Sequence, residues 1–258
     1  MSFKTLRILI LLAILLMVAH NQFITRERFA SWDAPVFVAI YPVNADGSDG
    51  TADYIRRLTD TEFQPLIQFA AREAERYGLD LRRPFYLELG EPVTDTPPAP
   101  PVGGTFLARA AWILKARWWR WRFDDQGLDP DILVLARYHD PKQHRRLPHS
   151  TGVEDLRIAI ANVFATRDMR GANNVVILHE MMHTIGATDK YDLDSGLPIH
   201  PHGYAEPDRT PRYPQPLAEL MAGRIPVSPT QARQASTFGQ VIIGPETASE
   251  IGWPSLRR

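Results

Sequence analysis

Val175-Val-Ile-Leu-His179-Glu-Met-Met-His183-Thr-Ile-Gly186-Ala-Thr-Asp189 (VVILHEMMHTIGATD, residues 175–189) is the stretch on which the fold turns. Four apolar residues lead into His179, and Met182 and Ile185 continue the apolar side, which is the pattern of a buried helix. On a helix, residues four apart stand one turn above each other on one face. His179 and His183 can therefore bring their imidazoles to one zinc ion, at about 2.0–2.1 Å each. Glu180, next to the first of them, falls beside the metal, where a carboxylate can hold and deprotonate a bound water. Gly186 lets the helix stop and the chain turn sharply. That turn brings Asp189, six residues past His183, within reach as an oxygen ligand.

Upstream of this helix the chain alternates between strand-like and helix-like segments. Ala34–Val43 reads as an apolar strand and the Gly/Asp-rich stretch Asn44–Gly50 as a loop. Thr51–Tyr77 has helical spacing, with Phe63, Leu66, Ile67, Ala70, Ala74 and Tyr77 sharing a face. Phe85–Leu89 is a second strand. Pro92–Pro101, with five prolines, is an extended linker. Thr105–Phe123 is a helix, whose RWWRWRF end reads as a core face with Arg stems at its rim rather than a nucleic-acid patch. Asp131–Tyr138 and Leu156–Thr166 are the remaining strands, separated by a polar loop, Asp140–Gly152. The helix over Asn173–Gly186 follows, then a loop-rich part with short helices expected near Thr230–Phe238 and Glu246–Ile251. These elements predict an α+β fold: an α/β-like N-terminal half with a twisted, mostly parallel sheet and the active-site helix, and a loop-rich C-terminal half.

Composition narrows the function classes. The 258 residues carry 29 Lys and Arg against 30 Asp and Glu, a net charge of −1, so no general attraction draws the chain to nucleic acid. With no cysteine, disulfides, Cys-ligated zinc, iron–sulfur clusters and thiol catalysis are excluded. Lys4 and Arg7 precede an unbroken apolar run from Ile8 to Ala19 that lacks a small-residue cleavage site. Residues 1–25 therefore read as an uncleaved signal anchor, with a domain over 26–258 (halves 26–186 and 187–258) on the extracytoplasmic side of a membrane. His139, His144 and His149 read as a solvated loop or cleft lip in preference to a second metal site.

Glu219-Leu-Met221-Ala-Gly223 places a methionine in an expected tight turn beyond the helix. With it, H-E-x-x-H-x-x-G-x-x-D resembles the zinc metallopeptidases of the metzincin type, an aspartate standing where a third histidine is usual. Asp189-Lys-Tyr191-Asp192 is similar to the D-x-Y-D of the immune-inhibitor-A group of secreted bacterial proteases. The resemblance covers about residues 175–226. It implies a zincin-like fold in two halves, Zn2+ on His179 and His183, Glu180 as general base, Met221 beneath the metal, and a protein or peptide substrate. Two positions depart from the pattern: the third histidine is missing, and Gly223 stands where several members keep a tyrosine. The third ligand is thus Asp189 or Glu219, with Glu206, His200 and His202 as further candidates. Tyr191, Tyr204, His202 and Arg224 are candidates for stabilising the transition state. The expected function is a membrane-anchored zinc metallopeptidase. The alternatives are a zinc hydrolase of a cell-wall or lipid-linked amide and a non-catalytic zincin-fold binding module.

Overall fold

A computed structural model describes residue 5 and residues 31–99, 101 and 105–256. Strands β1 (Val36–Asn44), β2 (Phe85–Leu89), β3 (Ile132–His139), β4 (Thr151–Val153) and β5 (Ile158–Phe164) form one sheet in the order β2-β1-β3-β5-β4. The first three neighbour pairs in that order are parallel; β4 pairs antiparallel with β5 at one edge. Helices α1 (Asp49–Ile55), α2 (Gln64–Arg76), α3 (Phe106–Arg122), α4 (Arg170–His183) and α5 (Pro245–Glu250) surround it. The coarse expectation holds: mixed α and β, with a mostly parallel sheet.

Period-two alternation splits the sheet's side chains between two cores. Val38, Ile40, Ile132, Val134, Ala159 and Ala161 face one side, where Leu66 and Phe69 of α2 and Ile177, Leu178 and Met181 of α4 cover them. Ala39, Tyr41, Leu133, Leu135 and Ile158 face the other, against Ala116 and Trp119 of α3 and Phe123. Each fully buried large side chain contributes roughly 1.5–3 kcal/mol. Asn173 fixes α4 along the sheet: its Oδ1 accepts from Phe164 N at 3.1 Å and its Nδ2 donates to Phe164 O at 2.8 Å. The first core runs on without a break into Leu220, Met221, Ile225, Val241, Ile243 and Trp253, so the C-terminal half shares it.

Several local expectations are corrected. Thr51–Tyr77 is not one helix, because Pro65 lies at the start of a second helix, α2, and residues 56–59 with a short 3-10 helix, Asp60–Phe63, separate α1 from α2. Part of the polar stretch before β5 is a strand, β4, which sequence alone leaves as loop. Near 230–238 there is a hairpin instead of a helix, β6 (Arg224–Ser228) with β7 (Gln231–Gln234). In the RWWRWRF stretch only Trp119 and Phe123, four apart, enter the core, whereas Trp118 and Trp121 are exposed and Arg122 stacks on Trp118 at 4.0 Å.

The expected membrane anchor is also corrected. Among the described residues no helix is long and apolar enough to cross a membrane; the longest, α3, has 17 residues and carries Lys115, Arg117, Arg120 and Arg122. Residues 1–25, apart from residue 5, lie outside the described residues. Neither the anchor nor the extracytoplasmic placement built on it has support in the fold.

Candidate metal centre

Helix α4 presents His179 and His183 on one face, as their spacing requires, with side chains 13% and 18% exposed. The helix ends at His183, and Gly186, at φ +104°, takes the backbone through a conformation that side-chain-bearing residues rarely adopt. The chain then doubles back and carries Asp189 to the histidines. The three donor atoms form a nearly regular triangle: His179 Nε2 to His183 Nε2, and Asp189 Oδ1 to each Nε2, all measure 3.2 Å. Atoms so spaced subtend about 100° at a point 2.0–2.1 Å from each, near the ~109° of a tetrahedral sphere.

The tautomers agree with a ligand role. His179 Nδ1 lies 3.0 Å from Leu220 O and His183 Nδ1 2.8 Å from Ala187 O. A carbonyl only accepts, so each Nδ1 carries a proton, which leaves Nε2 as the nitrogen that faces the other ring and the carboxylate, with a lone pair whenever the ring is neutral. Such a cluster repels itself unless a cation or a proton lies within it. Burial pulls the His179 pKa down, but the hydrogen bond to Asp189 and the charge of Glu180 outweigh it and hold the ring at about 9. Asp189 resists burial in the same way and is held well below the usual carboxylate range by the two histidines.

Glu180 is buried beside this triangle, and its Oε2 has no hydrogen-bond partner among the described residues. Burial pushes its carboxyl up, opposed by the nearby histidines. The amide of Gly152, in edge strand β4, also faces this carboxylate. Gly152 is needed there, because a Cβ at that position would lie 2.4 Å from Glu180 O and 2.4 Å from His183 Cβ.

Glu219 stands apart from the His179–His183–Asp189 triangle. It is fully buried, and its Oε1 accepts from Gly244 N at 3.0 Å and Thr247 Oγ1 at 2.7 Å, while Oε2 accepts from Ala222 N at 3.0 Å. It closes the turn Leu220–Ala222 and holds it to the start of α5. Met221 is buried within that turn, whose Leu220 carbonyl orients His179 and whose Met221 carbonyl accepts from Lys190 N at 3.0 Å.

Of the candidate stabilisers, the structure brings Tyr191 to the site. Its ring centroid is 6.4 Å from that of His179. Burial, then the charges of Asp189 and Glu180, push its hydroxyl up to about 12, so it stays a proton donor. Arg224 is exposed over the loop at Gly196, where a Cβ would sit 3.8 Å from its guanidinium carbon. Tyr204 pairs with the Tyr213 hydroxyl at 2.8 Å, His202 faces Glu246 at 3.7 Å, His200 contacts Pro207 O at 3.2 Å, and Glu206 pairs with Arg209 at 2.8 Å. None of these four belongs to the ligand triangle.

Sequence reasoning missed Glu250. Its carboxylate takes Thr188 N at 3.0 Å and Lys190 Nζ at 2.7 Å, together with the Thr188 hydroxyl. The residues on both sides of Asp189 are thereby tied to α5. Only a long-range contact, 60 residues distant for Lys190, reveals this role. Compared with family models and with curated proteins, the chain matches none.

Proposed function

We propose that the chain is a zinc-dependent hydrolase of peptide bonds with a zincin-like arrangement, in which His179, His183 and Asp189 hold the metal and Glu180 is the general base. The observation that carries this reading is the triangle of two Nε2 atoms and one carboxylate oxygen, 3.2 Å on each side, with the unpaired Oε2 of Glu180 buried beside it. A structural site gains nothing from a buried, unsatisfied carboxylate next to its ligands, whereas a hydrolytic one needs a base there.

Held by His179, His183 and Asp189, a zinc ion would supply Lewis-acid chemistry, lowering the pKa of a bound water and polarising the scissile carbonyl. Glu180 accepts the water's proton at Oε2 and later delivers it to the departing amine nitrogen. The Tyr191 hydroxyl, a donor at neutral pH beside the site, serves to hydrogen-bond the oxygen on which negative charge develops. Strand β4 supplies the peptide preference. It is the edge of the sheet, lies against α4 at Gly152, and can receive an extended chain as an added strand alongside the ligands. Backbone pairing of that kind holds a peptide with little regard to its side chains.

Replacement of Glu180 with Gln keeps shape and both histidines but removes the base. Cleavage of a fluorogenic peptide library by the zinc-loaded variant is expected to fall by about 100- to 10,000-fold, with zinc content unchanged. Activity within tenfold of wild type, or no peptide cleavage by the zinc-loaded wild type, would overturn the proposal.

A further inference from the structure

A second cluster of metal-ligating side chains lies at the carboxyl ends of β1 and β3. Asp46, in the loop after β1, meets His139, the last residue of β3, and His144, in the loop that leads toward β4. Donor atoms of all three lie within 4.8 Å of one another, with His144 Nε2 3.8 Å from Asp46 Oδ2. The sequence expectation of a solvated histidine loop does not hold for His139, which is 4% exposed.

The tautomer of His139 gives this cluster its meaning. Asn162 Nδ2 donates to His149 O at 2.8 Å, which turns Asn162 Oδ1 toward His139 Nε2, 3.0 Å away. An amide oxygen only accepts, so Nε2 carries the proton and Nδ1 carries the lone pair. That Nδ1 is buried with no hydrogen-bond partner among the described residues. A buried imidazole nitrogen left unpaired is costly, and His139 belongs to a cluster with a carboxylate and a second imidazole. Asp46 is itself oriented, its oxygens accepting from Asp140 N, Ser48 N and Thr51 Oγ1. Ligands held from behind in this way are the mark of a metal site.

We propose that Asp46, His139 and His144 form a second divalent-metal site, suited to zinc or a similar transition metal, that pins the loop of residues 140–150 to the sheet. Two imidazoles and one carboxylate favour such ions over magnesium or calcium. Tetrahedral zinc donors stand about 3.3 Å apart, so binding draws the cluster together by at most about 1.5 Å. His144, whose side chain is 38% exposed on a loop, can make that movement. Pinning this loop steadies β4, and through it the Gly152 amide that faces Glu180.

The test is zinc counting on the full chain, stripped with chelator and reloaded with zinc chloride. Wild type is expected to hold two ions, His183→Ala one, His144→Ala one, and the double variant none. His144 is half-exposed, so its variant should fold, and Asp46→Asn gives an independent check, each weakening the second site by on the order of 100-fold or more. In the His183→Ala background, zinc at ten times its Kd should slow trypsin cleavage after Arg145 and Arg146 about tenfold, because only the ion-free loop opens. One ion in wild type, unaffected by His144→Ala and Asp46→Asn, overturns the second site and leaves the hydrolase reading standing. One ion that survives His183→Ala but not His144→Ala does the reverse.

Discussion

Replacing Gly152 with Ala tests whether edge strand β4 and helix α4 form one rigid unit around Glu180. The added Cβ would stand 2.4 Å from both Glu180 O and His183 Cβ, where ordinary contact begins near 3.4 Å, so strand or helix must give by about 1.0 Å. Neither atom is the free end of a side chain: one is helix backbone and the other is the first carbon of a ligand residue. Overpacking of this kind costs about 1–3 kcal/mol. For a chain of this size, each kcal/mol lowers Tm by roughly 2–4 °C, so a fall of about 2–12 °C is expected. The same 1 Å shift moves the Gly152 amide relative to the Glu180 carboxylate, and misplacement on that scale costs about 100-fold in turnover. Thermal unfolding followed by circular dichroism, with peptide hydrolysis in parallel, reads both effects. Gly239→Ala is the control, since its Cβ meets nothing closer than Thr237 Oγ1 at 3.6 Å and should stay within about 0.5 kcal/mol. A Gly152→Ala protein that melts and cleaves like the Gly239→Ala control would refute the close packing of β4 on the metal-bearing helix.

Two further outcomes separate ligands from their supports. Asp189→Ala should weaken zinc binding by more than about 100-fold while the fold persists, whereas Glu219→Ala, which strands three buried donors at about 1–3 kcal/mol each, should chiefly lower Tm. Chelator titration and melting curves on both variants check this, and a reversed order moves the ligand to Glu219. Glu250→Gln should cost zinc affinity about 10–100-fold by loosening Thr188 and Lys190 around Asp189. It should also change the acid limb of stability. Burial raises the Glu250 carboxyl, but Lys190 and Thr188 outweigh it and hold the pKa below its ordinary value. The stabilisation is then fully present above about pH 4.3 and lost as pH falls through the folded-state value. Denaturant melts should show a wild-type advantage at pH 7 that shrinks below pH ~4; an advantage independent of pH would show that the ion pair is not its source.

What could be read in the sequence was local. The His179–Glu180–His183 spacing needs only the 3.6-residue period, and Gly186 with Asp189 needs only a helix stop and a six-residue turn, so the convergence of these residues could be anticipated, with Glu219 left open as the alternative to Asp189. The parallel sheet followed from apolar runs separated by helical spacing. The misread features are those set by distant partners. Three residues, Thr151-Gly-Val153, make a strand only because β5 pairs with them, and their Gly, Ser and Pro neighbours signal loop. Glu219 looked like a ligand because a carboxylate beside the turn methionine has the right chemistry; Gly244 and Thr247, 25 and 28 residues on, occupy it instead. His139 looked solvated because its own neighbours are polar, yet it is the last residue of a central strand, and Asn162, 23 residues further along, sets its tautomer. In the two His/Asp clusters, backbone or amide oxygens fix one ring nitrogen each of His179, His183 and His139. In the first, the histidines lie one helical turn apart and the chain advertises itself as a motif. In the second, the ligands come from a loop, a strand end and another loop, and only the folded sheet brings Asp46 to His139. Strand β4 lies between them in the chain and packs directly on the helix that carries the first.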